Sequence, residues 1–337
     1  QYVTAPGEQP SHLISWSQGL KLWIIEPLFI PPDFLSQSVI ICAICGQNIS
    51  HLPPFFIPLL IPLHVKSFLP PPFFLYAIFT TINKETLSVT DTTLIRGKLF
   101  GQGKTLDIEV CNGKVRDITS VTRRKAIGSA TTIIAPTLFD IQVNGVNGID
   151  LQGDTITPPD FRTITDHMAS WGVSHWVPTF VTSSINDMEK GCRAYIEALA
   201  DPIVAAAAPG LHLEGPNIST LDGPRGAHPI KHVKPPLLSD FNKLYKAAQS
   251  RILYVTIAPE LPGAIPFIKS LVKRGVAVSL GHHNATAEQI TKAVDAGATL
   301  STHLGNGAAS MIHRHQNILW PQLADDRLHA SLIADLH

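Results

Sequence analysis

Charge is scarce in this chain, and neither sign dominates. Asp, Glu, Lys and Arg make up 15% of the residues, 26 basic against 26 acidic, for a formal net charge of +0. Such a balance leaves no basic footprint for nucleic acid, so a nucleic-acid partner is not expected. Cysteine is scarce too. Cys42, Cys45, Cys111 and Cys192 are too few and too scattered for a disulfide framework, and a reducing, cytoplasmic setting is the expectation. Cys42 and Cys45 form a lone C-x-x-C, without the second pair of a zinc ribbon or the βαβ context of a redox motif. Although 45% of the residues are hydrophobic, no apolar run reaches the ~20 uninterrupted residues that cross a bilayer, so no membrane partner is expected. A Gly-rich phosphate-binding turn is missing as well. An initiating Met is also missing: the chain begins at Gln1, as expected of a fragment or a processed product.

Proline is plentiful at the start. Residues 1–83 carry Pro31-Pro32, Pro53-Pro54 and Pro70-Pro71-Pro72 among bulky apolar residues. Proline at that density breaks helices and removes ladder donors from strands, so no folded domain is expected over 1–83. Residues 84–130 read differently. Thr93 to Leu99, Leu106 to Val110 and Lys114 to Ile118 are short strands, the last two joined by the turn signal Asn112-Gly113. This is the pattern of part of a small β domain, expected to be a partial β-sandwich.

From residue 131 the pattern alternates between strand and helix. Strands are expected over 139–145, 175–180, 210–214, 253–258, 276–282, 298–303 and 330–334. Helices are expected over 158–171, 186–199, 239–249, 264–273 and 286–295. Ile290, Ala293 and Val294 fall on one face of the last helix, Thr286 and Gln289 could form its capping box, and Gly297 follows its end. Regular βα repetition implies a parallel sheet. An open doubly wound sheet would gather its polar residues at one switch point. Here Asp140, Gln142, Asn144, Glu214, His282, His303 and His337 stand at or near the C-terminal ends of different strands. A (β/α) barrel builds its active site there. Residues 131–337 are therefore read as an incomplete TIM-type (β/α)8 barrel. One carboxylate and two imidazoles can hold a divalent ion and leave a position open, and Glu214, His282 and His303 fit that description.

Five blocks then carry a resemblance. They are His212-Leu213-Glu214-Gly215-Pro216, Gly226-Ala227-His228-Pro229, Val255-Thr256-Ile257-Ala258-Pro259-Glu260, Gly281-His282-His283-Asn284-Ala285-Thr286, and Asp295 through Leu304. In that order they resemble the N-acetylglucosamine-6-phosphate deacetylases of the amidohydrolase superfamily. The resemblance implies hydrolysis of the acetamide of N-acetylglucosamine 6-phosphate, in amino-sugar catabolism, with one divalent metal ion, expected to be zinc. It implies Glu214, His282 and His303 as metal ligands. It implies His228, Asn306, Gly307, Arg314 and His337 as substrate contacts, Arg314 reaching phosphate from a neighbouring subunit and hence a homodimer. Gln142 and Asn144 stand where many superfamily members carry His-x-His, which implies a single-metal site. The family's proton-transferring aspartate lies on an eighth strand, and the chain ends at His337 before it. The expectation is thus a barrel without its last strand, with no general base present and impaired turnover. Gly305-Asn306-Gly307-Ala308 and His315-Gln316-Asn317 depart from the family's pattern and predict a looser substrate loop. Two other readings stand beside this one: a different amidohydrolase acting on a cyclic amide, and a non-enzymatic remnant.

Overall fold

The computed structural model describes residues 92–100, 103–111, 114–135, 137–152 and 154–334, together with the backbone of Phe56–Pro58. All of these lie in the unit formed by residues 40–337. The Cys42/Cys45 pair, the Asn112-Gly113 turn and His337 lie outside the described residues, as does the rest of 1–83.

A five-stranded sheet comes first. Its strands are β1 (Phe56–Pro58), β2 (Thr93–Leu99), β3 (Thr105–Cys111), β4 (Lys114–Ser120) and β5 (Ile127–Ala135), in the order β1-β5-β2-β3-β4. β2, β3 and β4 pair antiparallel, while β5 runs parallel to β2 and β1. Residues 131–135 thus pair with this sheet rather than opening the barrel. Period-two alternation turns Ile95, Ile108, Val110 and Ile134 to one side, where they form a small core. A polar tie crosses the same sheet. Arg96 grips fully buried Asp107 at 2.7 and 2.9 Å, and Thr122 donates to Asp107 through its N–H at 2.7 Å and its hydroxyl at 2.8 Å.

Seven parallel strands follow: β6 (Leu138–Val143), β9 (Val173–Val181), β10 (Leu211–Glu214), β11 (Ile252–Ile257), β12 (Ala277–Leu280), β13 (Leu300–Ser301) and β14 (His329–Ala330). They lie side by side in chain order. The two-stranded ribbon β7 (Gly145–Val146) and β8 (Ile149–Asp150) sits in the chain between β6 and the first helix. The helices are α1 (Pro158–Ser170), α2 (Ile185–Ala198), α3 (Pro202–Ala207), α4 (Leu238–Ala247), α5 (Ala264–Val272), α6 (Ala287–Asp295) and α7 (Leu319–Leu323). None of the described helices is long and apolar enough to cross a membrane.

Local chemistry places these helices. The Thr286 side chain accepts from Gln289 N, and the Gln289 side chain accepts from Thr286 N at 2.8 Å, which starts α6. Ile290, Ala293 and Val294 are its buried face, and Gly297 leaves it at φ +109°. The core between helices and sheet centres on Phe161, Trp176 and Tyr195, all fully buried. Each such side chain contributes about 1.5–3 kcal/mol by leaving water.

The parallel sheet curls. Tyr254 of β11 donates through its hydroxyl to the carbonyl of Ile141 in β6, at 2.6 Å. Those strands are three places apart in the sheet, about 14 Å if it were flat. The expected strands over 276–282, 298–303 and 330–334 are all shorter than the sequence suggested. β12 and β13 stop because His282 and His303 adopt φ of 51° and 30°, where an extended ladder cannot continue.

Candidate metal centre

The same two left-handed residues turn their rings into the mouth of the curled sheet. Glu214 ends β10, His282 stands two residues past β12, and His303 two residues past β13. The Nε2 of His282 lies 3.1 Å from Glu214 Oε1, and the Nε2 of His303 lies 2.8 Å from the same oxygen. The two Nε2 atoms are 3.1 Å apart. His228 joins them from the loop after β10, its Nε2 3.3 Å from that of His282. All four residues are buried.

Hydrogen bonds decide which ring nitrogens are bare. His282 Nδ1 faces the Pro224 carbonyl at 2.9 Å, and a carbonyl only accepts, so that nitrogen carries the proton. In that tautomer the His282 ring presents an unprotonated Nε2 to the centre. His228 Nδ1 lies 2.8 Å from the Thr182 hydroxyl, which itself donates toward the Glu214 carbonyl at 3.5 Å. The hydroxyl is thus an acceptor for His228 Nδ1–H, and the His228 Nε2 is bare as well. Burial pushes His228 down to about 4, so it is neutral near pH 7. Burial opposes the charge of Glu214, yet the neighbouring His282 and His303 rings outweigh it and hold the carboxyl well below the usual range.

Bare lone pairs facing one another at about 3 Å repel unless a cation lies between them. Ligand bonds of about 2.0–2.2 Å in a tetrahedral set put donor atoms about 3.3–3.6 Å apart, slightly beyond the spacings seen here. A carboxylate with imidazole nitrogens is also the donor set that zinc and its neighbours accept. The residues fit a divalent ion. Glu214, His228 and His282 together have one donor atom each within 4.8 Å of one another.

Glycines let the loops close on the cluster. At Gly215 (φ +99°) a Cβ would fall 2.1 Å from the Thr182 hydroxyl. At Gly226 (φ +58°) a Cβ would touch the His282 ring at 3.5 Å, and at Gly307 (φ +57°) it would stand 2.7 Å from His282 Nδ1.

The other expected site residues are dispersed. Asn306 is exposed, with its backbone N–H on the His303 carbonyl at 2.8 Å. Gly307 packs on His282. Arg314 lies on an exposed loop, where its carbonyl accepts from Trp320 Nε1 at 2.7 Å. Gln142 and Asn144 are half-buried at the end of β6, and neither is in the converging donor set. The sequence reading missed three supports: Thr182, the Pro224 carbonyl, and Ser331, whose hydroxyl accepts from His303 N at 2.7 Å. None of the three carries a spacing signal of its own.

Beneath the cluster runs a polar belt across five neighbouring strands. Thr179 donates to the Val177 carbonyl at 3.1 Å, so its hydroxyl accepts from His212 Nδ1 at 3.1 Å. His212 Nε2 then accepts from Thr256 at 2.7 Å, and Thr256 from Thr302 at 2.7 Å. Ser279 reaches Thr302 at 2.5 Å. Burial holds His212 neutral, down to about 3.

No family model matches the chain. The N-acetylgalactosamine-6-phosphate deacetylase of Escherichia coli O157:H7 is 31% identical over 218 residues, which are 65% of this chain and 55% of that protein. The N-acetylglucosamine-6-phosphate deacetylase of Homo sapiens is 33% identical over 256 residues, 73% of this chain and 61% of that protein. The crystal structure of the N-acetyl-D-glucosamine-6-phosphate deacetylase of Mycobacterium smegmatis superposes with a TM-score of 0.59 at 26% identity, over 72% of this chain and 64% of that one. The resemblance carried by the five motifs thus extends over most of the chain, and the fold is the incomplete TIM-type barrel that the strand ends predicted. The chain spans less than two thirds of the length of these relatives.

Proposed function

From this kinship with amino-sugar 6-phosphate deacetylases, we propose that the chain is the metal-binding part of an enzyme that removes the acetyl group from N-acetylglucosamine 6-phosphate, yielding glucosamine 6-phosphate and acetate. The observation that carries the reading is the meeting of Glu214, His282 and His303, with His228, at the C-terminal ends of parallel strands. Zinc is the ion the donor set suits best. When bound, it supplies Lewis acidity to the acetyl carbonyl and lowers the pKa of water.

The protein's own residues do the rest. Glu214 brings the negative charge that balances a divalent ion. The hydrogen bond from His282 Nδ1 to the Pro224 carbonyl holds the ring in one tautomer and one orientation. Gly307 lets the substrate loop lie on His282, with Asn306 exposed beside it as a sugar contact. Arg314 is the phosphate contact in this reading, offered across a homodimer, and a bidentate guanidinium suits that task. His337 is a further substrate contact. Proton transfer is assigned to no residue of this chain. A cytosolic setting accords with a small phosphorylated sugar as substrate.

The test is acetate release from N-acetylglucosamine 6-phosphate by metal-loaded protein, with N-acetylgalactosamine 6-phosphate and a cyclic amide run in parallel. Metal binding with release from the first sugar supports the reading. Turnover of the cyclic amide alone would move the protein to another amidohydrolase activity. Metal binding without turnover of any substrate would assign this chain to the impaired class.

A further inference from the structure

The cluster contains two overlapping sets of three donors. Both include the edge between Glu214 and His282, and they differ in the third member, His303 or His228. Imidazoles that ligate metals almost always give their other ring N–H to a fixed partner, which sets tautomer and orientation. His282 has such a partner in the Pro224 carbonyl, and His228 has one in the Thr182 hydroxyl. His303 does not: its Nδ1 is buried with no hydrogen-bond partner among the described residues. Its Nε2 lies 2.8 Å from Glu214.

The support of His228 is built from several parts. Gly215 lacks the Cβ that would collide with the Thr182 hydroxyl, which lets that hydroxyl lie between the Glu214 carbonyl and His228 Nδ1. Arg225 Nη1 donates to the His228 carbonyl at 2.9 Å and fixes the backbone. The ring then meets His282 edge-on, centroids 4.3 Å apart, and its Nε2 lies among the donors. Glu214, His228 and His282 each offer one donor atom, all within 4.8 Å of one another.

We propose that His228 is itself a metal ligand in the substrate-free protein, sharing the ion with Glu214 and His282. Thr182 is its positioning residue. The inference rests on the metal-centre reading above and adds a ligand that the motif comparison gives to the sugar.

The experiment is titration with Co²⁺ alone, read by visible ligand-field absorption and by competition with a chelator. Four variants are compared with the parent chain: His228→Asn, Thr182→Ala, Thr182→Ser and His282→Asn. Thermal melts confirm that each is folded. Loss of the Thr182 hydroxyl should weaken Co²⁺ binding by roughly 10- to 100-fold, the usual cost of losing a ligand's supporting hydrogen bond. Thr182→Ser should restore it. His228→Asn should weaken binding at least as much as Thr182→Ala. It should also shift the spectrum of the remaining bound ion, as water replaces nitrogen. Parent-like affinity and an unchanged spectrum in His228→Asn, with binding lost in His282→Asn, would overturn the role of His228 and leave the centre standing. Unchanged binding in both would overturn the centre as well.

Discussion

Glu214 and His303 touch at 2.8 Å although their strands, β10 and β13, are separated by two others in the sheet. Three strand spacings amount to about 14 Å in a flat sheet. Only curling brings the two side chains together, so this pair links the barrel's shape to its chemistry. Glu214→Gln keeps the shape and removes the charge. Metal affinity measured by chelator competition should fall by at least about 100-fold, beyond what a lost supporting bond costs. Deacetylase turnover should fall with it, and the melting temperature without metal should change little.

Gly307 lies against His282 at a backbone angle that favours glycine, φ +57°. An added methyl would stand 2.7 Å from Nδ1 and 2.9 Å from Cε1 of the ring. Gly307→Ala should cost about 1–3 kcal/mol in a urea melt through overpacking. It should also weaken metal binding, because the ring must turn off the Pro224 carbonyl. An alanine variant with parent-like stability and parent-like metal affinity would show that the loop gives way freely.

The belt under the cluster is directional, and Thr256 stands in its middle, donating to His212 and accepting from Thr302. Thr256→Val keeps the volume and removes the hydroxyl, which leaves two buried polar groups short of a partner. Each such group costs about 1–3 kcal/mol. Chemical denaturation should show a loss in that range, larger than for Thr291→Val on the exposed face of α6.

Asp107 governs the response of the small sheet to acid. The hydrogen bonds from Arg96 hold its carboxyl far below the ordinary range, against burial, with Thr122 assisting. An unfolded chain would protonate it near pH ~3.9. Its stabilising effect is therefore fully present above that value and is lost as pH falls below it toward the depressed folded value. Acid titration followed by circular dichroism should show this limb. Asp107→Asn should flatten it and lower stability at neutral pH, where Arg96 then faces a neutral partner.

Much of the fold was legible in the sequence because its signals are local. The helices near 158–171, 186–199 and 264–273 follow from apolar spacing and capping, and the structure moves their ends by only a residue or two. Asn186 illustrates the limit: Ser184 caps that helix one turn position earlier, by accepting from Asp187 N at 3.1 Å. The strand ends at His282 and His303 were less legible. The ladder there is ended by left-handed backbone, which apolar pattern does not encode. The helices α3 and α7, of six and five residues, are too short to show a period.

The sequence by itself determined the element order, the parallel sheet and the residue types of the centre. Glu214, His282 and His303 could be read as a set because each follows a recognisable strand, and position after a strand fixes which rim of a barrel a side chain occupies. What only the tertiary structure decided is which nitrogen of the His228 and His282 rings is bare, and that His228 enters the cluster. Those outcomes depend on Thr182 and Pro224, distant in sequence from the rings they hold. A hydrogen bond between strands leaves no periodic trace in one chain, because either partner alone is an ordinary residue.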